Sequence, residues 1–375
     1  MLPAARSHRF RLAEVVPNCL DALAGRRSRL GLAPVTHAVV VLVDGLGQEL
    51  LEASAGHART LAGRLGIDKP LDTGFPTTTA SSLASLTTGA DPGAHGLVGY
   101  SVLDPEADRV VNLLNGWAQD GDPAGPDAHR WQPVPTLFES SAADGVTSVA
   151  IAPERFRGTG FTTAVLRGAE FRGASTLAER FAALRTELAA PGPRLIYLYV
   201  AELDAAGHAR GVASSAWVEA LEAVDAEIAG ALRALGPRHG LVVTADHGML
   251  DVPHEAHRLV APELLAGVAH VAGEPRALQL HLDAGVEADP VADRWRASEG
   301  AKAWIATRAE AEEAGWFGEV APAIRPRIGD VLVLARAGVA YYLDEDAPSR
   351  GMVGQHGSLT TTERTVPLLR FGAWA

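Results

Sequence analysis

Cysteine is all but absent: Cys19 is the only one in 375 residues. A single thiol excludes an internal disulfide framework and fits a reducing compartment. A continuous apolar stretch is missing from the N-terminus, where Met1-Leu2-Pro3-Ala4-Ala5-Arg6-Ser7-His8-Arg9-Phe10-Arg11 breaks its apolar residues with Pro, Ser and basic side chains. Neither a secretory h-region nor a membrane anchor is expected there, and cytoplasmic residence is the default expectation. Excess positive charge is lacking too, with 33 Lys and Arg against 45 Asp and Glu and a net charge of -12. That balance argues against a nucleic-acid polymer as partner, whereas a small phosphorylated ligand held by metals needs no basic surface. The local run Arg26-Arg27-Ser28-Arg29 reads as a solvated face. No internal repeat or low-complexity tract is evident.

What is present is enough apolar material, 47% of the chain, to bury a large core. The length suggests a main domain carrying an insertion. Apolar, β-rich runs at 38–43, 195–200 and 241–245 alternate with helically spaced segments at 176–190 and 215–235. This alternation predicts an α/β fold with a mostly parallel sheet covered by helices on both faces. Residues 1–252 and 350–375 are expected to form the core, and 253–349 an inserted α+β cap. The cap reading rests on strand-like runs at 277–282, 330–334 and 339–343 and a helix-like piece over 300–314. Residues 119–135 and 153–163 read as loops, the second near the site.

Three carboxylates and three imidazoles stand just past the apolar runs or in glycine-rich turns: Asp44, Asp204 with His208, Asp246 with His247, and His356. In parallel sheets ligands gather at the carboxyl ends of strands, so groups distant in sequence can converge on one rim. Six oxygen and nitrogen donors exceed what one catalytic metal takes and suit a pair of divalent ions. Taken singly each has a plainer explanation. Asp204 and His208 could be a helix cap and a surface histidine, Asp44-Gly45 a strand-ending turn, and Gly354-Gln355-His356-Gly357 a loop with an incidental histidine. Phe75-Pro76-Thr77-Thr78-Thr79 leads into a short helix that ends at Gly89. A hydroxyl at a helix start, where backbone amides are free, can meet phosphorus head-on. Thr79 is the nucleophile candidate, and a threonine-rich N-cap is the plainer reading.

Asp44-Gly45, Phe75-Pro76-Thr77-Thr78-Thr79, Thr88-Gly89 with Pro92-Gly93-Ala94-His95-Gly96, Asp204-Ala205-Ala206-Gly207-His208, Ala245-Asp246-His247-Gly248-Met249 and Gly354-Gln355-His356-Gly357 occur in one order over residues 38–360. The set resembles the nucleotide pyrophosphatase/phosphodiesterase branch of the alkaline phosphatase superfamily. The resemblance implies an alkaline-phosphatase-like core. It also implies two divalent metal ions, Mn²⁺ or Zn²⁺, one on Asp204, His208 and His356, the other on Asp44, Asp246, His247 and Thr79. Thr79 would attack phosphorus, and water would hydrolyse the phosphothreonine from the leaving-group side. The family's asparagine beside the nucleophile is replaced by Ser82, which together with the Ala80 amide is a candidate for holding a phosphoryl oxygen. His95 matches a structural position. His254 and His257 have no counterpart.

Tyr100, Trp117 and Phe156 are candidates for stacking on a base. Composition and layout resemble actinobacterial members of the branch, close to phosphonoacetate hydrolase and including a cyclic di-AMP phosphodiesterase. The expected activity is therefore hydrolysis of a small nucleotide diester, with cyclic di-AMP to pApA and AMP as the leading case. A general nucleotide pyrophosphatase, a phosphonoacetate hydrolase and a non-catalytic nucleotide sensor are the alternatives. The only partner expected is the small nucleotide, with no membrane, on a monomer or homodimer.

Overall fold

Every residue of strand β1 (His37–Val43) is buried. Because successive side chains of a strand point to opposite faces, total burial requires cover above and below. β1 lies in the middle of a sheet with β2 (Thr147–Ala152), β3 (Glu170–Gly173), β4 (Arg194–Val200) and β5 (His239–Thr244). These five are parallel in the order β5-β1-β4-β2-β3. The computed structural model describes residues 2–3, 10–118 and 125–375. Helices flank the sheet, among them Leu177–Leu188, started by a Thr176–Glu179 capping box, and Ser215–Leu232, capped by Ser214. Both satisfy first-turn amides through a side-chain oxygen. Among the described residues no helix is long and apolar enough to cross a membrane.

A second sheet is antiparallel and comprises β6 (Val268–Glu274), β7 (Ala277–Leu282), β8 (Ala303–Thr307) and β9 (Val331–Ala335), in the order β6-β7-β9-β8. Its two faces do different jobs. Ala277, Ala306, Leu332 and Leu334 join the main core. Leu278, Leu280, Ile305 and Val333 pack instead with Val291 and Trp295 of the Ala288–Glu299 helix. This second sheet thus packs on the main core through one of its faces. β10 (Leu369–Gly372) returns to pair antiparallel with β5 and closes that edge of the first sheet.

Three local expectations change. The helix expected over 300–314 is strand β8 followed by the short Arg308–Glu313 helix, which opens at a Thr307–Glu310 capping box. Ladder pairing with β9 decides the strand, and the longer helix lies upstream at Ala288–Glu299. The 153–163 stretch is only partly loop, because a 3₁₀ turn covers Glu154–Phe156 and a helix begins at Gly160. In the 119–135 stretch, 119–124 lie outside the described residues. Ala128–Trp131 is a short helix with Asp127 accepting from its first amides. The basic run is paired at the surface, Arg26 to Asp21 and Arg29 to Glu14.

Candidate active site

Asp44 follows β1 directly, Asp246 lies two residues past β5, and the Glu202–Arg210 helix starts just beyond β4. One turn of that helix puts Asp204 and His208 on one face, with His208 Nε2 3.3 Å from Asp204 Oδ1. Close approach explains Gly45. Its φ is +76°, and a β-carbon there would lie 3.3 Å from the Asp204 backbone. His356 arrives from the far end of the chain and is sewn to the nucleophile loop. Its Nδ1 bonds the Thr77 carbonyl at 2.8 Å, Gly357 N donates to Thr77 Oγ1 at 3.0 Å, and that hydroxyl donates to the Ser358 carbonyl at 2.8 Å.

Two clusters result: Asp204, His208 and His356, and Asp44, Asp246 and His247, each with ligand atoms within 4.8 Å of one another. The His247 and His356 rings stack between them with centroids 3.7 Å apart. Thr79 opens the Thr79–Thr88 helix, and its Oγ1 lies 3.2 Å from His247 Nε2. The amides of Thr79, Ala80 and Ser81, at the first turn, have no acceptor within the helix.

The donor set was tested for a cation on its hydrogen bonding. Each histidine faces a backbone carbonyl through Nδ1: His208 to Gly354 at 2.7 Å, His247 to Gly248 at 3.2 Å, and His356 to Thr77 at 2.8 Å. A carbonyl can only accept, so each Nδ1 carries the proton and each neutral ring turns the Nε2 lone pair inward. The carboxylates are oriented in the same way. Asp246 Oδ1 accepts the amides of Gly45 and His247, and Asp44 Oδ2 accepts the Tyr199 hydroxyl. Asp246 Oδ2, Asp44 Oδ1 and Asp204 Oδ1 are buried without a hydrogen-bond partner. Lone pairs therefore face lone pairs, with His208 and His356 Nε2 3.3 Å apart and His247 Nε2 3.3 Å from Asp44 Oδ1. Buried polar atoms are rarely left so, and only a positive charge between them satisfies the set. The residues fit divalent cations.

Electrostatics without cations agree. Burial, then the neighbouring Asp44, raises Asp204 to about 8. Burial and Asp204 raise Asp246 to about 7. Asp44 is pushed well above the carboxylate range by burial and Asp246. Burial lowers His247 to about 4 and holds His356 well below the ordinary imidazole value. The carboxylates are thus reluctant to ionise until positive charge is added, and the imidazoles stay neutral, as ligands must.

Two cavities share Thr79, Leu114 and Asp204 in their walls. One, of about 160 Å³, is mostly apolar, with Phe156, Phe161, Tyr199 and Leu83 in its walls. The other, of about 370 Å³, is bordered by Thr78, Tyr100, His208, Glu274, Met352 and His356. Among the described residues neither is lined by Lys or Arg.

Of the proposed base-stacking residues, Phe156 and Tyr100 face a cavity, one each. Trp117 does not. It is fully buried, donates through Nε1 to the Leu113 carbonyl at 2.7 Å and packs on Gly160, so no base can reach its ring. Ala80 and Ser82 are buried in the helix and line neither cavity. His95 ties a turn, bonding Ser85 Oγ and accepting the Leu97 amide. His254 and His257 sit away from both clusters, beside Arg350 and Tyr342. Tyr199, Phe161 and Glu274 escaped the sequence reading. The only available signal was the pair Tyr197 and Tyr199, two polar-tipped residues on one face of an otherwise apolar strand.

Residues 38–359 match the model of the type I phosphodiesterase / nucleotide pyrophosphatase family. No curated protein matches the sequence. Among solved structures, murine ectonucleotide pyrophosphatase/phosphodiesterase 5, inactive and in complex with AMP, aligns with a TM-score of 0.68 and 17% identity, covering 90% of this chain and 88% of that one. The human protein of the same name gives 0.70 and 17%, covering 89% and 87%. Phosphonoacetate hydrolase from Sinorhizobium meliloti, in complex with phosphonoacetate, gives 0.70 and 18%, covering 90% and 91%. At these identities the likeness establishes the α/β fold, with its mostly parallel sheet flanked by helices.

Proposed function

The chain belongs to the type I phosphodiesterase / nucleotide pyrophosphatase family of hydrolytic enzymes, and we propose that it hydrolyses small nucleotide phosphodiesters through a phosphothreonine on Thr79. One observation carries this reading: two cavities share Thr79 in their walls. A phosphodiester has two organic arms on one phosphorus, and a site for a diester needs room for both. A monoester or phosphonoacetate needs one, and phosphonoacetate also wants a cation for its carboxylate, which neither wall supplies among the described residues. The apolar cavity, with Phe156 and Phe161, suits a flat base.

Asp204, His208 and His356 would hold one divalent ion and Asp44, Asp246 and His247 the other, Mn²⁺ and Zn²⁺ both being compatible with three carboxylates and three imidazoles. When bound, the ions supply positive charge that eases loss of the hydroxyl proton and offsets charge gathering on the phosphoryl and leaving oxygens. Thr79 Oγ1 forms the bond to phosphorus as the bond to the leaving oxygen breaks. The threonine proton passes to solvent, and the leaving oxygen regains one from water. Water then attacks the phosphothreonine from the vacated side, releasing a monoester and restoring the hydroxyl. A phosphoryl group on Thr79 would lie at the start of the Thr79–Thr88 helix, where first-turn amides have no acceptor within the helix.

Cyclic di-AMP is the leading substrate, supported by the resemblance in layout and by the room for two arms. The test is protein reconstituted with Mn²⁺ or Zn²⁺ and given cyclic di-AMP, pApA, ATP, a nitrophenyl phosphodiester or phosphonoacetate, with products separated by chromatography. Cleavage of diesters, with cyclic di-AMP passing through pApA to AMP, is expected. Turnover of phosphonoacetate alone would overturn the nucleotide reading.

A further inference from the structure

Glu274 ends β6 at the tip of the tight β6–β7 hairpin, paired with Ala277 across the turn. It is 9% exposed, and its Oε1 is buried without a hydrogen-bond partner. The protein offers this carboxyl little else. The Thr78 side chain is near enough to ease ionisation of the carboxyl. His356 Nδ1 is 3.5 Å from Oε2, but its proton is engaged by the Thr77 carbonyl at 2.8 Å. Arg276, two residues along, turns to Glu363, which it grips at 2.8 and 2.9 Å. A buried carboxyl left this way is costly, so the missing donor must come from the cavity that Glu274 lines.

Building on the phosphodiesterase reading, we propose that Glu274 accepts a hydrogen bond from a hydroxyl on the substrate arm in the larger cavity and so selects ribonucleotide over deoxyribonucleotide diesters. Thr78 and Thr79 line the same cavity as Glu274. The hydroxyl read by Glu274 therefore lies close to the reacting phosphorus, as a ribose hydroxyl beside the esterified oxygen does. A carboxyl repels a second anionic group at this point and has no use for a sugar carbon that lacks the hydroxyl.

Rigidity makes the contact selective. The Arg276–Glu363 pair is wholly buried and pins the hairpin tip. Position 357 is glycine with φ +126°, where a β-carbon would stand 2.6 Å from Glu274 Cδ, so the His356 loop leaves room for the carboxyl. A preorganised acceptor pays little ordering entropy and discriminates well.

The experiment compares kcat/KM of the Mn²⁺-loaded wild type, Glu274→Gln and Glu274→Ala on ApA, dApdA and bis(4-nitrophenyl) phosphate, with metal content measured alongside. The hydrogen bond to this buried carboxyl predicts a preference of about tenfold for ApA over dApdA in the wild type. In Glu274→Ala that preference falls to about threefold or less, with Glu274→Gln between. A wild type indifferent to the hydroxyl overturns the proposal. So do variants that lose activity on all three diesters by one factor together with their metal, since Glu274 then merely positions His356. A wild type that cleaves none of the three overturns the phosphodiesterase reading, and the proposal with it.

Discussion

Removing the metals should destabilise this protein in a way that depends on pH with a particular sign. Asp204 is raised from 3.8 to about 8 and Asp246 from 3.8 to about 7, so without cations the folded state holds protons that the unfolded chain has released. Stability from these groups is full below the unfolded value and is lost as pH rises through the folded one. His247 works in the opposite direction. It is lowered from 6.5 to about 4, so its contribution grows with pH and is complete by 6.5. Above that point only the carboxylates act. At about 1.36 kcal/mol per unit, the span from 6.5 to 8 costs roughly 2 kcal/mol through Asp204 and under about 1 kcal/mol through Asp246. An unfolding entropy of about 2.1 cal/mol/K per residue gives about 0.8 kcal/mol/K for this chain, hence a fall in Tm of about 3 °C. Bound cations keep these carboxylates ionised, so their part of the slope should vanish. Two sites filled at about a hundred times their dissociation constants add roughly 5 kcal/mol, or about 7 °C. Calorimetric scans with chelator and with Mn²⁺ across this pH range measure both effects. Equal slopes with and without metal would refute the assignment of these carboxylates to cations.

Thr79→Ala should abolish diester turnover with metal content retained. Activity within about tenfold of wild type would move attack to water or Thr78, since the Thr77 hydroxyl is tied to the Ser358 carbonyl. Tyr199→Phe removes the donor on Asp44 Oδ2 and should weaken one of the two metal sites by about 10- to 100-fold in calorimetric titration, the other being spared. Equal weakening of both sites would count against the partition. Arg276→Met leaves the Glu363 carboxylate buried without its cation and should cost about 3–5 kcal/mol, or about 4–6 °C in Tm. Adding Glu363→Gln should restore part of that loss, and a double variant no more stable than the single one would show that no charge had been stranded.

The six converging groups were readable because strand ends advertise themselves. An apolar run stopping at an aspartate says where the sheet's carboxyl rim is, and a parallel sheet brings such rims together whatever the separation in sequence. Nothing comparable marks Glu274, which sits in a strand whose alternation tells which face a side chain takes but not what that face meets. Its environment depends on a hairpin tip reaching the His356 loop, a contact made by residues 82 positions apart and fixed by the Arg276–Glu363 pair. Trp117 fails for the same reason. An aromatic ring in a glycine-rich stretch looks available until the chain folds Gly160 against it.

The Ala303–Thr307 run shows the limit for secondary structure, since five residues among alanine and glutamate are strand only because Val331–Ala335 offers them a ladder. Selectivity follows the same division. The donors that would hold the cations stand past strand ends or in a glycine-rich turn and gain meaning from their order along the chain, whereas the cavity walls are drawn from separate parts of the chain. Leu114, Phe156, Glu274 and Met352 become one site only by packing, so substrate choice is encoded in contacts between elements rather than within them.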